Sequence, residues 1–570
     1  MSTWKCSYEH LGVIMRRLAL GIDFGTESAR TLLVDLDTGT EITTAISLYP
    51  HAVMDRTLWR TGTPLPAQWA LQDADDWLIS LKESVTQAIK TAQSLGYHPH
   101  EITSIGIDTT ACTVVLTDTD LNPLSRYPDL HKNPYAYARL WKDHASQSYA
   151  EKINRITAEI PEFLEFYGGA LSPEWMLPKA LFLMCEAPEI FTQAQRLIEQ
   201  SDWIVSQLIG HEVRGKHTAG YKSCYRTEKH SYPSPETLEA IHPGFSNVLD
   251  KLGQEFLEPG EQAGTLTPTW AQKLGLPAHL PVAIGNMDAH VALLGSGCTE
   301  PGTLVAVMGT SVCNLIMAKQ REAVKGIQGV VYNGIIPGYW AYEAGQAGVG
   351  DTFGWFVQTL QATHSNENKT NIADTFRTLE KEASAITPAS TGIISLDWLN
   401  GNRSVLINSD LSGAFIGLTL RSTRADIYRS LLEGVAFGQR VILESFESCG
   451  IPVNRIITCG GLPHKSPLLM QIMADVTGRE IEVTQSSNTP ALGAALHGAL
   501  AAGTISDWKS AAELVKRNNT SYTPQPQAHE AYSDLYTLYL RIHDWFGIEN
   551  PDLMKELRTM HQKAQLHDYQ

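Results

Sequence analysis

Leu18-Ala19-Leu20-Gly21-Ile22-Asp23-Phe24-Gly25-Thr26-Glu27-Ser28-Ala29-Arg30-Thr31-Leu32-Leu33-Val34-Asp35 holds two apolar runs separated by a short turn rich in glycine and hydroxyl groups. The run Leu18 to Asp23 is closed by Gly25 and Thr26, and Thr31 to Asp35 leads into a second turn at Asp37-Thr38-Gly39, which reads as strand, tight turn, strand. The same signature recurs at Ile105 to Asp108 followed by Thr113 to Thr117, with a turn around Asp118 to Asn122. It appears a third time at Leu304 to Met308, Gly309-Thr310-Ser311 and Cys313 to Met317. Three hairpins with similar tips predict related halves. Between them Asp75 to Ala92 places Trp77, Leu78, Leu81, Val85, Ala88 and Ile89 near the helical period, so hairpin sheets alternate with helices and the chain is α/β.

Farther along, Ala425 to Ser448 is apolar on one face, with small Gly434 and Gly438 permitting close packing, and stops at Gly450. Ile456 to Cys459 is a short strand running into Gly460-Gly461, and Ser466-Pro467 then opens a helix that ends at Gly478. The glycines and proline of Gly295, Gly297, Pro301 and Gly302 interrupt the pattern, which puts a domain boundary within 286–301.

The 570 residues exceed what one hydrophobic core organises, so two large domains are expected. With 44 Lys plus Arg against 61 Asp plus Glu, the net charge is −17, and no basic run interrupts it. That balance repels nucleic acid and anionic membrane surfaces alike. Eight cysteines are scattered without a C-x-x-C pair, arguing against a zinc knuckle or a disulfide framework. Met1 to Arg17 carries Lys5, Glu9 and His10 before any apolar run, and no stretch of about 18 apolar residues occurs, so a cytoplasmic protein is expected. Residues 1–14 read as an extension outside the core, with Met15 as the functional start.

The loop Gly21 to Ser28 lacks the G-x-G-x-x-G spacing of a dinucleotide site, and it carries Asp23 where a phosphate would be repelled. A divalent cation between Asp23 and the phosphates removes the conflict, because Mg²⁺ is held by one or two carboxylates together with phosphate oxygens. Thr26, Ser28 and Arg30 supply donors, and the glycines allow the backbone to approach. Taken alone the loop is equally readable as a hairpin without a ligand. No Walker A sequence is present, since His464 stands where the glycine before Lys465 would be needed. The second tip, Gly309-Thr310-Ser311, and the double glycine Gly460-Gly461 complete a set that two facing hairpins would need to clamp a triphosphate.

Together, Gly21 to Arg30, Gly309-Thr310-Ser311 and Gly460 to Gln471 resemble the FGGY carbohydrate kinases of the actin-like ATPase superfamily, over about 18–545. The resemblance implies two ribonuclease-H-like α/β domains with ATP and sugar in the cleft between them. The division it suggests is an extension 1–17, an N-terminal domain 18–290, a C-terminal domain 291–545 and a peripheral tail 546–570. It implies that Asp23 orients Mg²⁺, that Gly25, Thr26, Ser28, Arg30, Gly309, Thr310 and Ser311 serve the phosphates, and that Gly460, Gly461 and Lys465 lie by the adenosine.

Asp288, in Gly285-Asn286-Met287-Asp288-Ala289-His290, follows the apolar strand Pro281 to Ile284 and matches the family position of the catalytic base. An isolated aspartate there would more simply cap the next helix; the family context reverses the order. His290 reads as structural. Segments around Trp141, Gly168 to Trp175, Ala219 to Ser223, Glu343 to Gln346 and Leu396 to Arg403 resemble the ribulokinase branch of that family. This implies ATP-dependent phosphorylation of the 5-hydroxyl of L-ribulose in arabinose catabolism, with Ala111, Lys222, Asp288 and Glu343 around the sugar and a homodimeric assembly. Trp141 and Trp175 read as core residues or as walls of the pocket. Alternatives are a kinase of another ketopentose or pentitol, such as D-ribulose, ribitol or L-xylulose, and a non-catalytic actin-like scaffold or sugar sensor.

Overall fold

The computed structural model describes residues 16–361, 371–516 and 518–567. The expected extension 1–14 and the start at Met15 lie outside them. Leu18–Phe24 is buried along its whole length. It lies between antiparallel Ser28–Asp35 and parallel Ile102–Thr109, which explains its uninterrupted apolar sequence. Thr40–Leu48 extends the sheet on one side, and Pro281–Ala283 and Gln262–Thr265 extend it on the other. The helix Ala74–Ser94 begins at Asp73, whose side chain accepts from the Asp75 N–H. It buries Trp77, Leu81, Val85 and Ala88 against the hairpin.

A second sheet repeats the plan, in the order Gly329–Tyr332, Trp340–Gln346, Val312–Ala318, Thr303–Met308, Arg455–Cys459, Ile481–Val483 and Thr520–Tyr522. In each sheet an antiparallel meander leads into parallel strands, as the related halves predicted. One expected hairpin is absent. Ile102–Thr109 does not pair with Val114–Thr117; the latter joins Leu71–Gln72, Ala138–Arg139 and Arg196–Glu199 in a separate four-stranded sheet. The chain leaves the first sheet at Cys112, whose φ is +60°, because the neighbours of Ile102–Thr109 are already taken by parallel strands on both sides.

The lobes meet along two helices. Asp288–Gly295 continues from the first lobe, and Thr489–Ala501, from the far end of the chain, crosses under the first sheet and packs against it. Glycine makes this approach possible: a Cβ at Gly106 would stand 1.7 Å from the Ala494 carbonyl oxygen, and one at Gly493 would stand 2.0 Å from that of Val291. The expected division after residue 290 falls inside the first of these helices, and residues 296–302 carry the chain into the second sheet. The tail expected to be peripheral is partly packed, because amphipathic spacing gives its polar sequence one apolar contact. In the helix Asp552–His567, Met554 is buried and Lys555 reaches Asp410 at 3.1 Å. Among the described residues no disulfide joins the seven cysteines, and no helix is long and apolar enough to cross a membrane.

Candidate functional site

Between the sheets lies a pocket of about 180 Å³. Thr26, Thr110, Ala111 and Cys112 line it from the first lobe, at the ends of Leu18–Phe24 and Ile102–Thr109; Gly309, Thr310 and Ser311 line it from the hairpin tip of the second. Asp288 reaches it from the first turn of its helix. Ligands of parallel sheets collect at the carboxyl ends of strands, where backbone groups and short side chains converge.

Three aspartates meet there through strand register. Asp23 and Asp108 are partners on neighbouring parallel strands, and the bridge Asn286–Met287 lies beside Asp108 and Thr109, which delivers Asp288 next in sequence. Arg30 Nη1 is 3.2 Å from Asp23 Oδ2, but neither oxygen of Asp108 receives a hydrogen bond from an N–H or hydroxyl donor. Burial raises all three carboxyl groups above the usual range, and mutual repulsion adds to the rise at Asp108 and Asp288. Asp288 is pushed up to about 7 by burial and by Asp23, against the Ala289 N–H that donates to its Oδ1 at 2.6 Å. Among the described residues no group of three or more His, Cys, Asp or Glu is arranged to hold a metal by itself. An ion sharing these aspartates would need further ligands from elsewhere, which suits a metal that arrives with phosphates.

Farther along the pocket stands a polar set from both lobes. Lys222, at the end of the helix Lys216–Lys222, places Nζ 2.9 Å from each carboxylate oxygen of Glu343 on Trp340–Gln346. His290 Nε2 is 3.0 Å from Glu343 Oε2. Burial opposes ionisation of both partners, but their attraction dominates: Glu343 is held far below the usual carboxylate range and Lys222 above the usual amine range.

The chain matches the N-terminal domain of the FGGY family of carbohydrate kinases over residues 18–295 and the C-terminal domain of that family over residues 304–502. The chain belongs to the FGGY carbohydrate kinases. It is therefore a sugar kinase, with a sugar and ATP as substrates. Among its relatives, a ribulokinase of Shouchella clausii is 41% identical over 558 residues, 96% of this chain and 99% of that protein. A ribulokinase of Mycolicibacterium smegmatis is 41% identical over 559 residues, covering 96% of this chain and 97% of that one. A solved xylulose kinase from Rhodospirillum rubrum superposes with a TM-score of 0.74 at 22% identity, over 93% of this chain and 99% of that one, and so shares the fold.

Of the residues singled out from sequence, this FGGY kinase brings Thr26, Ala111, Lys222, Asp288, Gly309, Thr310, Ser311 and Glu343 to the pocket wall. Asp23 and Gly25 lie just behind Thr26, in Leu18–Phe24 and the turn after it. Ser28 opens the returning strand, and Arg30 points back at Asp23. Gly460, Gly461 and Lys465 do not line this pocket. They follow Arg455–Cys459, the parallel neighbour of the strand that ends at Gly309, and so emerge on the same edge of the second sheet. Trp141 lines the pocket and donates from Nε1 to Thr26 Oγ1 at 3.1 Å, whereas Trp175 is core, packed on Tyr167. Sequence reading passed over Asp108 and took His290 as structural. Asp108 had a signal in its strand, apolar up to an aspartate as in Leu18 to Asp23; the contact of His290 with Glu343 spans 53 positions and had none.

Proposed function

We propose that this kinase transfers the γ-phosphoryl group of ATP to the 5-hydroxyl of L-ribulose, serving arabinose catabolism, with Asp288 as general base. One observation carries the reading: Asp288 stands between the acidic strand ends, Asp23 and Asp108, and the polar pair Lys222 and Glu343, and it feels the charge of Asp23, Glu343 and Lys222. A phosphate-facing group and a sugar-facing group are thus joined by one carboxylate whose proton affinity is close to neutrality, which suits a base. The names of relatives at 41% identity along nearly the whole chain support ribulose as the sugar.

In this mechanism Ala111 leaves room for the sugar, Lys222 donates to its hydroxyls and Glu343 accepts from them. Asp288 takes the proton of the attacking hydroxyl, the hydroxyl oxygen bonds to the γ-phosphorus, and ADP leaves. Phosphoryl transfer depends on alignment and charge neutralisation more than on covalent help. Thr26, Ser28, Arg30, Thr310, Ser311 and the glycine turns at Gly25 and Gly309 are assigned to the phosphates, and Gly460, Gly461 and Lys465 to the adenosine. Mg²⁺ fits this site, because Asp108 presents a buried carboxylate without a donor beside Asp23. Those two residues would hold it, and its chemistry would be neutralisation of phosphate charge.

A coupled ADP-release assay across ketopentoses and pentitols tests the assignment. Ribulose is expected to give the highest kcat/KM. Higher kcat/KM with ribitol or xylulose moves the substrate within the family, and no sugar-stimulated ADP release overturns the catalytic reading.

A further inference from the structure

Beside the pocket lies a larger cavity of about 480 Å³, also formed by both lobes. Neutral Asn400, Asn402 and Asn408 line it together with charges of both signs, among them Glu151, Asp410 and Lys555. Such a surface offers donors and acceptors to a polyhydroxylated molecule without favouring one sign of charge on it. Among the described residues only two line both spaces, Glu174 and Arg403. They come from opposite lobes, 229 positions apart, and Arg403 Nη2 is 3.0 Å from Glu174 Oε1. The pair is the partition between the cavities.

Each member is fixed from its own side. Glu174 precedes the helix Met176–Glu186 and lies 3.5 Å from His144 Nε2. Its segment is tied down where Leu171 exchanges hydrogen bonds with the Asn154 amide. Arg403 is held to the strand of Glu343: its carbonyl accepts from Gln328 Nε2 at 2.8 Å, and the Gln328 N–H donates to the Glu343 carbonyl at 2.7 Å. The guanidinium sits 5.7 Å from the ring centre of Trp141, while its Nε is buried and has no partner. Arg403 therefore keeps an unused donor while its fork is engaged across the cleft, in a loop bonded through Gln328 to the strand of Glu343.

Resting on the sugar-kinase reading of the inner pocket, we propose that the outer cavity receives the neutral sugar and that Glu174–Arg403 is the gate between them, parting to admit the sugar and re-forming behind it. The ion pair ties closure of the lobes to occupancy of the pocket, and the polar antechamber lets the sugar shed bulk water before it meets the phosphates. The two side chains are only 16% and 12% exposed, so parting them carries a cost that sugar binding must offset.

The test follows sugar binding by stopped-flow tryptophan fluorescence, using whichever ketopentose or pentitol turns over fastest in the wild type. Glu174→Gln and Arg403→Gln should each raise the sugar dissociation rate at least tenfold with the KM for ATP within twofold. The double variant should add little to either single change, since both break the same contact. Asn400→Trp, at a position that lines the outer cavity and not the inner pocket, should slow association at least fivefold. Dissociation and association within twofold of wild type in all four variants, or fully additive effects of the Glu174 and Arg403 changes, overturns the gate. A wild type that binds and turns over no sugar in the panel overturns the sugar-kinase reading beneath it, and the gate with it.

Discussion

Asp23 and Asp108 face each other across two parallel strands, both buried, and neither oxygen of Asp108 receives a hydrogen bond from an N–H or hydroxyl donor. Arg30 reaches only Asp23, so a retained proton or a bound cation must offset the remaining repulsion between the two carboxyl groups. Asp108→Asn should raise the Mg²⁺ concentration needed for half-maximal activity at least tenfold while leaving the fold intact. An unchanged Mg²⁺ titration would remove Asp108 from the metal-bearing set.

The same clustering sets a pH dependence of stability without ligands. Asp288 titrates near 7 in the folded protein and near 3.8 when unfolded, and Asp23 and Asp108 shift in the same direction. Between those values the folded state holds the extra protons, so stability should fall as pH rises from about 4 to about 7. Asp288 contributes on the order of a few kcal/mol at most, less what solvent in the pocket screens. Thermal melts should show Asp288→Asn flattening this decline, and Mg²⁺ with ATP offsetting it. A melting profile unchanged by Asp288→Asn would contradict the raised carboxyl.

Catalysis should show the opposite trend. A base must be deprotonated, so kcat/KM for the sugar should rise with pH and reach a plateau above about 7, the value of Asp288 in the free enzyme. Asp288→Asn should slow the chemical step by about 10²-fold or more with ATP affinity little changed. A loss below threefold in single-turnover experiments would assign the base elsewhere.

Lys222 and Glu343 join the lobes as well as lining the pocket. Lys222→Ala or Glu343→Ala should raise the sugar KM and also lower stability, by about 3–5 kcal/mol, because the remaining charge is left buried. Sugar kinetics unchanged in both would overturn the pocket assignment.

Two glycines separate packing from binding. Gly493→Ala drives a Cβ to 2.0 Å from the Val291 carbonyl oxygen, so urea denaturation should show destabilisation at or above about 3 kcal/mol. Gly461 has nothing within 4 Å of a Cβ. Gly461→Ala should stay within about 0.5 kcal/mol of wild type yet raise the KM for ATP if the adenosine lies there. An unaltered KM would move the adenosine site away from Gly461.

Much of the fold was legible because its strands and helices carry local signals. Leu18–Phe24 is buried on both faces and therefore uniformly apolar. The helix Pro467–Thr477 shows its capping serine and terminal glycine in the sequence, and both act as caps in the structure. The hairpin expected at Ile105 to Thr117 failed because two adjacent apolar runs do not specify whether they pair with each other or with distant strands.

The amino-acid sequence by itself determined the α/β class and the glycine and hydroxyl tips, since each depends on neighbours within a few positions. Only the tertiary structure decided that Asp108 stands beside Asp23, that His290 leans on Glu343, and that Glu174 and Arg403 meet across the cleft. Those relationships arise from strand register and lobe packing, and a contact between residues 229 positions apart leaves no local pattern from which to read it.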